Sequence, residues 1–274
     1  MADAPTPDRA PRGRHPMSLS GRGAVITGGG RGIGRAVARA LAERGAAVVV
    51  TARTRGEIDA VAAELSADGF QAHAIRCDVS DESSVAGMAG EAVKCLGTVD
   101  VLVNNAGIAL SNPVKRLALE EWNRILAVNA TGTFLCSRAF LQGMIDRGWG
   151  RVINVASVAG LRGSRYIAAY TASKHAQIGF TRALAAEVAD QGITVNAICP
   201  GYVDTPMTEY SVSRIVEKTG VSQEEALERI LALSPQHRLI RPEEIAHVAV
   251  MLCDRDGEGI NGQAIAIDGG SGVH

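Results

Sequence analysis

From Gly23 onward, short apolar runs alternate with longer alanine-rich segments of helical period. The apolar runs fall at 24–27 (AVIT), 46–51 (AAVVVT), 72–77 (AHAIRC), 99–103 (VDVLV), 151–155 (RVINV), 193–198 (ITVNAI) and 263–267 (QAIAI). The helical segments between them span 32–44, 56–67, 81–95, 119–147, 168–190 and 242–253. Near-continuous apolar strands are buried on both faces, as in a parallel sheet covered by helices. Seven strands and at least six helices predict an α/β fold: one doubly wound parallel sheet forming a single domain over 18–274, with right-handed crossovers.

Residues 206–238 break the alternation. This stretch is too polar for a sheet crossover, and VSQEEALERILAL has helical period behind a Ser222 cap. It follows a strand C-terminus, where ligands sit in open α/β sheets. That position predicts a mobile, helical substrate lid; the alternative is a fixed excursion used in packing.

The chain has 274 residues, 46% of them apolar and 21% charged, so it carries material for a sizeable core. Its net charge of -1 supplies no global field for nucleic acid, and 4% aromatics supply no stacking platform for single strands. No nucleic-acid partner is expected. No apolar run reaches the ~18 residues of a membrane span. The five cysteines, Cys77, Cys95, Cys136, Cys199 and Cys253, are odd in number and form no C-x-x-C pair. Neither a disulfide framework nor a zinc ribbon is expected, which fits a reducing cytoplasm. The six histidines are scattered, and no metal site is expected. The opening MADAPTPDRAPRGRHP lacks an apolar signal core and predicts a disordered leader over 1–17, or sequence upstream of a start at Met17.

The candidate chemistry begins at the first strand-to-helix joint, Thr27-Gly28-Gly29-Gly30-Arg31-Gly32-Ile33-Gly34. Glycines there let the backbone approach a pyrophosphate, and the helix start offers free N–H groups. The spacing is T-G-x-x-x-G-x-G rather than G-x-G-x-x-G. About 20 residues on, where an acid would hold a ribose 2′-hydroxyl, the chain reads Thr51-Ala52-Arg53-Thr54-Arg55. Arg31 and Arg53 near one ribose suit a 2′-phosphate, which predicts NADP(H); the alternative is two solvated surface charges. Asp78, at the end of the third strand, is placed to accept from an adenine amino group or to cap a helix. Asn104-Asn105-Ala106-Gly107 ends the fourth strand with small and amide residues, which allow close approach of a cofactor ribose or turn the chain.

Tyr170 and Lys174, in YTASK, share a helix face. A cation beside a phenol favours the phenolate and predicts a pKa below the ordinary ~10, toward neutrality; the alternative is an ordinary Tyr and Lys on a helix surface. Ser157 follows the fifth strand, within reach of a carbonyl held near Tyr170. Asn129 sits inside a mostly apolar helix and needs partners there.

These motifs, in this order, resemble the short-chain dehydrogenase/reductase family over roughly residues 18–271. The resemblance rests on TGGGRGIG, CDV at 77–79, NNAG at 104–107, Asn129, Ser157, YTASK, and Cys199-Pro200-Gly201 with Thr205. It implies a single Rossmann-type domain, a nicotinamide cofactor, and a homotetramer or homodimer. It implies that Tyr170 is the general acid in carbonyl reduction and the base in alcohol oxidation. It implies that Lys174 binds the nicotinamide ribose and lowers the Tyr170 pKa, that Ser157 bonds the substrate oxygen, and that Asn129 holds a relay water. By the same resemblance Gly28, Gly30, Arg31, Gly32, Ile33, Gly34, Arg53, Thr54, Asp78, Val79, Asn105, Ala106 and Gly107 bind cofactor. Pro200, Gly201, Val203 and Thr205 would lie along the nicotinamide.

Within the family the chain is most similar to β-ketoacyl-thioester and polyketide ketoreductases, through Ala52-Arg53, the lid after Thr205-Pro206-Met207, and ITVNAICPGYVDTPM. It departs from the polyketide group at Ile108-Ala109-Leu110, where a Pro-Gly-Gly motif is common. It departs from 3-hydroxybutyrate dehydrogenases at Ala159 and Ile167. Ile108, Leu110, Val158, Leu161, Tyr166, Tyr202, Met207, Tyr210 and Ile215 are the pocket candidates, and their apolar character predicts a hydrophobic ketone or an acyl thioester on coenzyme A or a carrier protein. Arg162 and Arg165 either meet coenzyme A phosphates or are solvated. Two further readings stand beside NADPH-dependent reduction: an NAD-dependent alcohol or 3-hydroxyacyl dehydrogenase working oxidatively, and a non-catalytic dinucleotide-binding regulator.

Overall fold

The computed structural model describes residues 18–272, so the leader expected over 1–17 lies outside the described residues. Seven strands form one sheet: β1 Gly23–Thr27, β2 Ala47–Ala52, β3 Ala72–Arg76, β4 Val101–Asn104, β5 Gly150–Val155, β6 Ile193–Pro200 and β7 Ala264–Ile267. Their order is β3-β2-β1-β4-β5-β6-β7, and every pairing is parallel. All seven expected strands are present. The fourth starts at Val101, two residues later than expected; just before it the buried Asp100 carboxylate accepts from Gly23 N at 3.0 Å and Thr98 Oγ1 at 2.9 Å.

Helices cover both faces. On one lie α1 Gly32–Glu43, α2 Arg55–Ala67 and α9 Pro242–Cys253, packed through Val37, Leu41, Ile58, Leu65, Ile245 and Ala249. On the other lie α3 Glu82–Leu96, α5 Gly132–Arg147 and α6 Ala168–Glu187, packed through Met88, Leu135, Phe140, Met144 and Leu184. Central strand residues such as Ile26 and Leu102 are fully buried, which explains the unbroken apolar runs. No helix among the described residues is long and apolar enough to cross a membrane.

The helical segment expected at 119–147 is not uniform. α4 Leu119–Leu126 passes through a π turn, Ala127–Thr131, before α5 begins. The extra residue in that turn re-aims the side chain it carries, and such turns collect at functional sites. Here the turn carries Asn129.

The 206–238 excursion contains two helices, α7 Pro206–Thr219 and α8 Gln223–Leu231. Ser222 caps α8 by accepting from Glu225 N at 3.1 Å, as its sequence predicts. The pair buries its own small core of Val212, Ala226 and Ile230. Its neck is closed where Val203 pairs with Ile240 in parallel.

Candidate active site

The chain leaves β1 toward β2 on one side and β4 toward β5 on the other. A crevice opens between the two diverging loops, where open α/β sheets bind ligands. The glycine loop and the 104–107 loop form its walls and are pinned together. Thr27 Oγ1 accepts from Asn105 N and Ala106 N, each at 3.0 Å. The Asn105 side-chain amide donates to the carbonyls of Thr27 at 2.9 Å and Gly28 at 3.0 Å. Asn105 therefore shapes the crevice with its side chain turned into the wall.

The glycine loop fits a bound pyrophosphate. Arg31 occupies the cap position of α1 without a side-chain hydrogen bond to the first-turn amides, so these amides have no side-chain cap. Gly32 has φ of +50°, and a Cβ there would lie 3.0 Å from Thr205 Cγ2 across the crevice. A Cβ on Gly34 would lie 2.3 Å from the Gly28 carbonyl oxygen. The loop is thus tightly packed at both positions. Ile33 packs onto the helix–sheet core behind it.

At the ribose edge, Arg31 pairs with Glu57 at 3.2 Å, an exposed contact. Arg53 and Thr54 are exposed at the start of α2. The Arg53 carbonyl accepts from Arg76 Nε at 3.2 Å, which brings a third guanidinium to this edge that sequence spacing did not suggest. Asp78 does not cap α3; Asp81 does, through Ser84 N at 2.9 Å. Asp78 instead accepts from Ser80 N at 3.0 Å and Ser80 Oγ at 2.6 Å. Burial acts to raise its pKa, but the Ser80 bonds and the Arg53 charge hold it below the usual carboxylate value. Val79 points the other way, into the core beside Gly132.

The four candidate catalytic residues converge at the C-terminal ends of β4 and β5. Tyr170 and Lys174 lie one turn apart on α6, with Lys174 Nζ 5.6 Å from the phenol ring centre. Ser157 caps a short 3-10 turn, accepting from Ala159 N at 3.1 Å, and its hydroxyl faces the Tyr170 phenol, where it favours the ionised form. Asn129 is fully buried. Its side chain accepts from Ile108 N and donates to Ile108 O, both at 2.9 Å, and donates to Ser173 Oγ at 3.0 Å. Its backbone carbonyl accepts from Thr133 Oγ1 at 2.8 Å. Asn129 thus clamps the β4 loop to α6. A Cβ on Gly107 would sit 3.4 Å from Asn129 Oδ1 and 3.6 Å from Lys174 Nζ, which places Gly107 over both.

The expected depression of the Tyr170 pKa is not what this arrangement produces. Burial pushes the phenol up to about 12, against a smaller lowering by Ser157. Burial also pushes Lys174 down to about 7. The ammonium donates to the Val155 carbonyl at 2.9 Å and to Gln177 Oε1 at 2.7 Å rather than to the phenol. Desolvation outweighs the pairing that the i, i+4 spacing suggested.

Of the pocket candidates, Tyr166, Tyr202, Met207, Tyr210 and Leu161 are exposed side chains, and Val158 is half-buried. Tyr166 has φ of +69°, an outlier for an aromatic residue. Its carbonyl accepts from Asn112 N at 2.6 Å, tying the loop after β4 to the loop after β5. Three expected positions fall elsewhere. Ile215 packs into the α7–α8 core, because that helix pair has its own apolar face to bury. The Val203 side chain is buried at the neck of the excursion, in the core rather than on an open wall. Arg162 does not stand free for a coenzyme A phosphate: its guanidinium bonds the Ser271 carbonyl and, at 3.1 Å, the Ser271 hydroxyl. Pro200 ends β6, and Gly201 lies against Asp268, where a Cβ would come within 3.1 Å.

Sequence reading missed Thr27, Arg76, Thr133, Ser173 and Gln177. The readable signal for Ser173 and Gln177 was their place beside Lys174 on the same inward stripe of the helix.

The sequence model of the short chain dehydrogenase family matches residues 22–215, most of the chain. The chain belongs to the short-chain dehydrogenase family. It is accordingly an oxidoreductase of the class that interconverts CH–OH and C=O groups. It is 36% identical to a 3-oxoacyl-[acyl-carrier-protein] reductase of Aquifex aeolicus, over 93% of this chain and 98% of the relative. It is 37% identical to a D-β-hydroxybutyrate dehydrogenase of Rhizobium meliloti, over 90% of this chain and 97% of the relative. Among solved structures, a variant of actinorhodin polyketide ketoreductase crystallised with NADPH superposes with a TM-score of 0.90. That match covers 92% of this chain and 98% of the other at 38% identity.

Proposed function

We propose that this short-chain dehydrogenase is an NADP(H)-dependent reductase that converts a hydrophobic ketone or a β-ketoacyl thioester to the secondary alcohol. The observation that carries this reading is the convergence of Tyr170, Ser157, Lys174 and Asn129 beside a glycine-lined crevice whose ribose edge holds Arg31, Arg53 and Arg76. The cofactor would supply the hydride. Within this reading the Tyr170 phenol donates its proton to the carbonyl oxygen, and the Ser157 hydroxyl bonds and orients that oxygen. Lys174 holds a positive charge at the nicotinamide ribose. Asn129 keeps the β4 loop, and with it Gly107, at a fixed distance from α6.

The glycine loop, Asp78 and the 105–107 loop would line the dinucleotide, and Pro200, Gly201 and Thr205 the nicotinamide end. Val158, Tyr166, Tyr202, Met207 and Tyr210 would receive the substrate, with Ile108 behind them. The α7–α8 pair, internally packed and pinned at its neck, would move as one lid. A homotetramer or homodimer is the assembly we propose, checked by light scattering in solution.

Titration with NADPH and NADH, followed by a reductive screen of ketones and β-ketoacyl thioesters, tests the reading. Tighter NADPH binding with turnover of apolar ketones supports it; tighter NADH binding overturns the cofactor assignment. Arg53→Ala is expected to lower the NADPH-over-NADH preference about ten- to a hundredfold, as one charge-assisted contact is lost. Glu57→Gln should act in the opposite direction, by about fivefold or less, because it frees Arg31 from an exposed ion pair. If Glu57→Gln instead lowered the preference, Arg31 would not be a phosphate ligand.

The likeness to a D-β-hydroxybutyrate dehydrogenase supports a second reading, oxidation of a hydroxy acid. Ala159 and Ile167 offer no charge for a small carboxylate, and we rank that reading below ketone reduction.

A further inference from the structure

The inward face of α6 carries Ser173, Lys174, Gln177 and Thr181, all buried. Gln177 is 0% exposed, so each of its polar atoms needs a partner. Its Oε1 accepts from Lys174 Nζ at 2.7 Å. Its Nε2 donates to Thr133 Oγ1 at 2.7 Å, and the Thr133 hydroxyl donates onward to the Asn129 carbonyl at 2.8 Å.

This chain of bonds has one consistent polarity. A hydroxyl has one proton, and the Asn129 carbonyl can only accept, so the Thr133 proton is committed to it. The Thr133 oxygen must then accept from Gln177, which requires the Nε2 end to face Thr133. The Oε1 end is left facing Lys174. An acceptor held there stabilises the ammonium and gives nothing to a neutral amine's lone pair.

We propose that Gln177 is a positioning residue whose amide, locked by Thr133 and the π turn, holds Lys174 charged and seated beneath Gly107. The proposal rests on the reading of Lys174 as the charged ribose-binding group of a reductase. Val155 O is the other acceptor on Nζ. Two titratable groups face the ammonium: Tyr170 on its own helix and Cys199 on β6. Burial pushes the Cys199 thiol up to about 11, so it is neutral across the working range. Asn129, Gly107 and Val155, from the π turn, the β4 loop and β5, are neutral. Gln177 and Val155 therefore offset a desolvation that drives the lysine toward neutrality.

The chain has four lysines, and Lys94, Lys115 and Lys218 are all exposed. A 13C label on lysine Cε therefore allows Lys174 to be titrated by NMR without turnover, its signal assigned by loss in Lys174→Met. Gln177→Leu is expected to lower the Lys174 midpoint by about one to two pH units. The alkaline limb of kcat for reduction should move to lower pH by a similar amount, since the lysine loses its proton earlier. Gln177→Glu, which sets a carboxylate against the ammonium, should move both upward; it serves alone if the leucine variant does not fold. A purely structural Gln177 would lower Tm in both variants and leave the midpoint where it was, and that result overturns the proposal. Absence of NADPH-dependent turnover in the wild type overturns the reductase reading instead, and the NMR midpoint still decides the role of Gln177.

Discussion

Replacing Tyr170 with phenylalanine is expected to lower kcat for ketone reduction by about a thousandfold, with NADPH affinity changed less than about twofold. The substitution removes one oxygen and leaves the ring on α6. With its pKa pushed up to about 12, the phenol keeps its proton throughout the neutral range and is always ready to donate. No neighbour replaces it. The Ser157 hydroxyl can bond the substrate oxygen but is a far weaker acid, and Lys174 Nζ is engaged by Val155 O and Gln177 Oε1. Oxidation needs the phenolate, so its wild-type rate should rise with pH where the reductive rate does not. Single-turnover rates with NADPH, beside fluorescence titration of the cofactor, measure the two effects separately. Retained turnover would remove Tyr170 from the chemistry, and lost NADPH binding would recast it as a cofactor contact only.

The second large effect is expected at Gly34. A methyl group there would lie 2.3 Å from the Gly28 carbonyl oxygen and 2.6 Å from Asn105 Nδ2, and neither can yield freely. The carbonyl is backbone, and Asn105 Nδ2 is the group that pins the two crevice loops together through Thr27 O and Gly28 O. Gly34→Ala must therefore push α1 away from β1 or break that pin. Overpacking of this kind costs about 1–3 kcal/mol, which should appear as a lower Tm. Because the displaced element is the phosphate-facing helix start, NADPH affinity should fall about tenfold or more. Gly21→Ala serves as a comparison, since a Cβ at Gly21 has nothing within 4 Å although its φ of +78° carries some strain. It should cost stability without touching NADPH affinity. Equal affinity losses in both variants would mean that the Gly34 effect is global.

The linear pattern contained the strand and helix order, the glycine loop, the basic ribose edge and the Ser157, Tyr170 and Lys174 spacing. These are local features. Apolar period reports burial, glycine reports close approach, and an i, i+4 pair shares a face whatever surrounds it. The Ser222 cap was legible for the same reason. What packs against a face, and how dry that place is, depends on contacts between distant segments. The Tyr170–Lys174 spacing therefore suggested a low phenol pKa, whereas the folded protein raises it by burying both groups. Asn129 could be read as a polar residue in an apolar helix, but its hold on Ile108 and Ser173 depends on the π turn that rotates it inward. Val203, Ile215 and Arg162 could be placed near a cleft by order alone; tertiary packing sent the first two into cores and tied the third to Ser271. Local chemistry is written along the chain, while the environment that sets its charge and direction arises only when remote segments exclude water together.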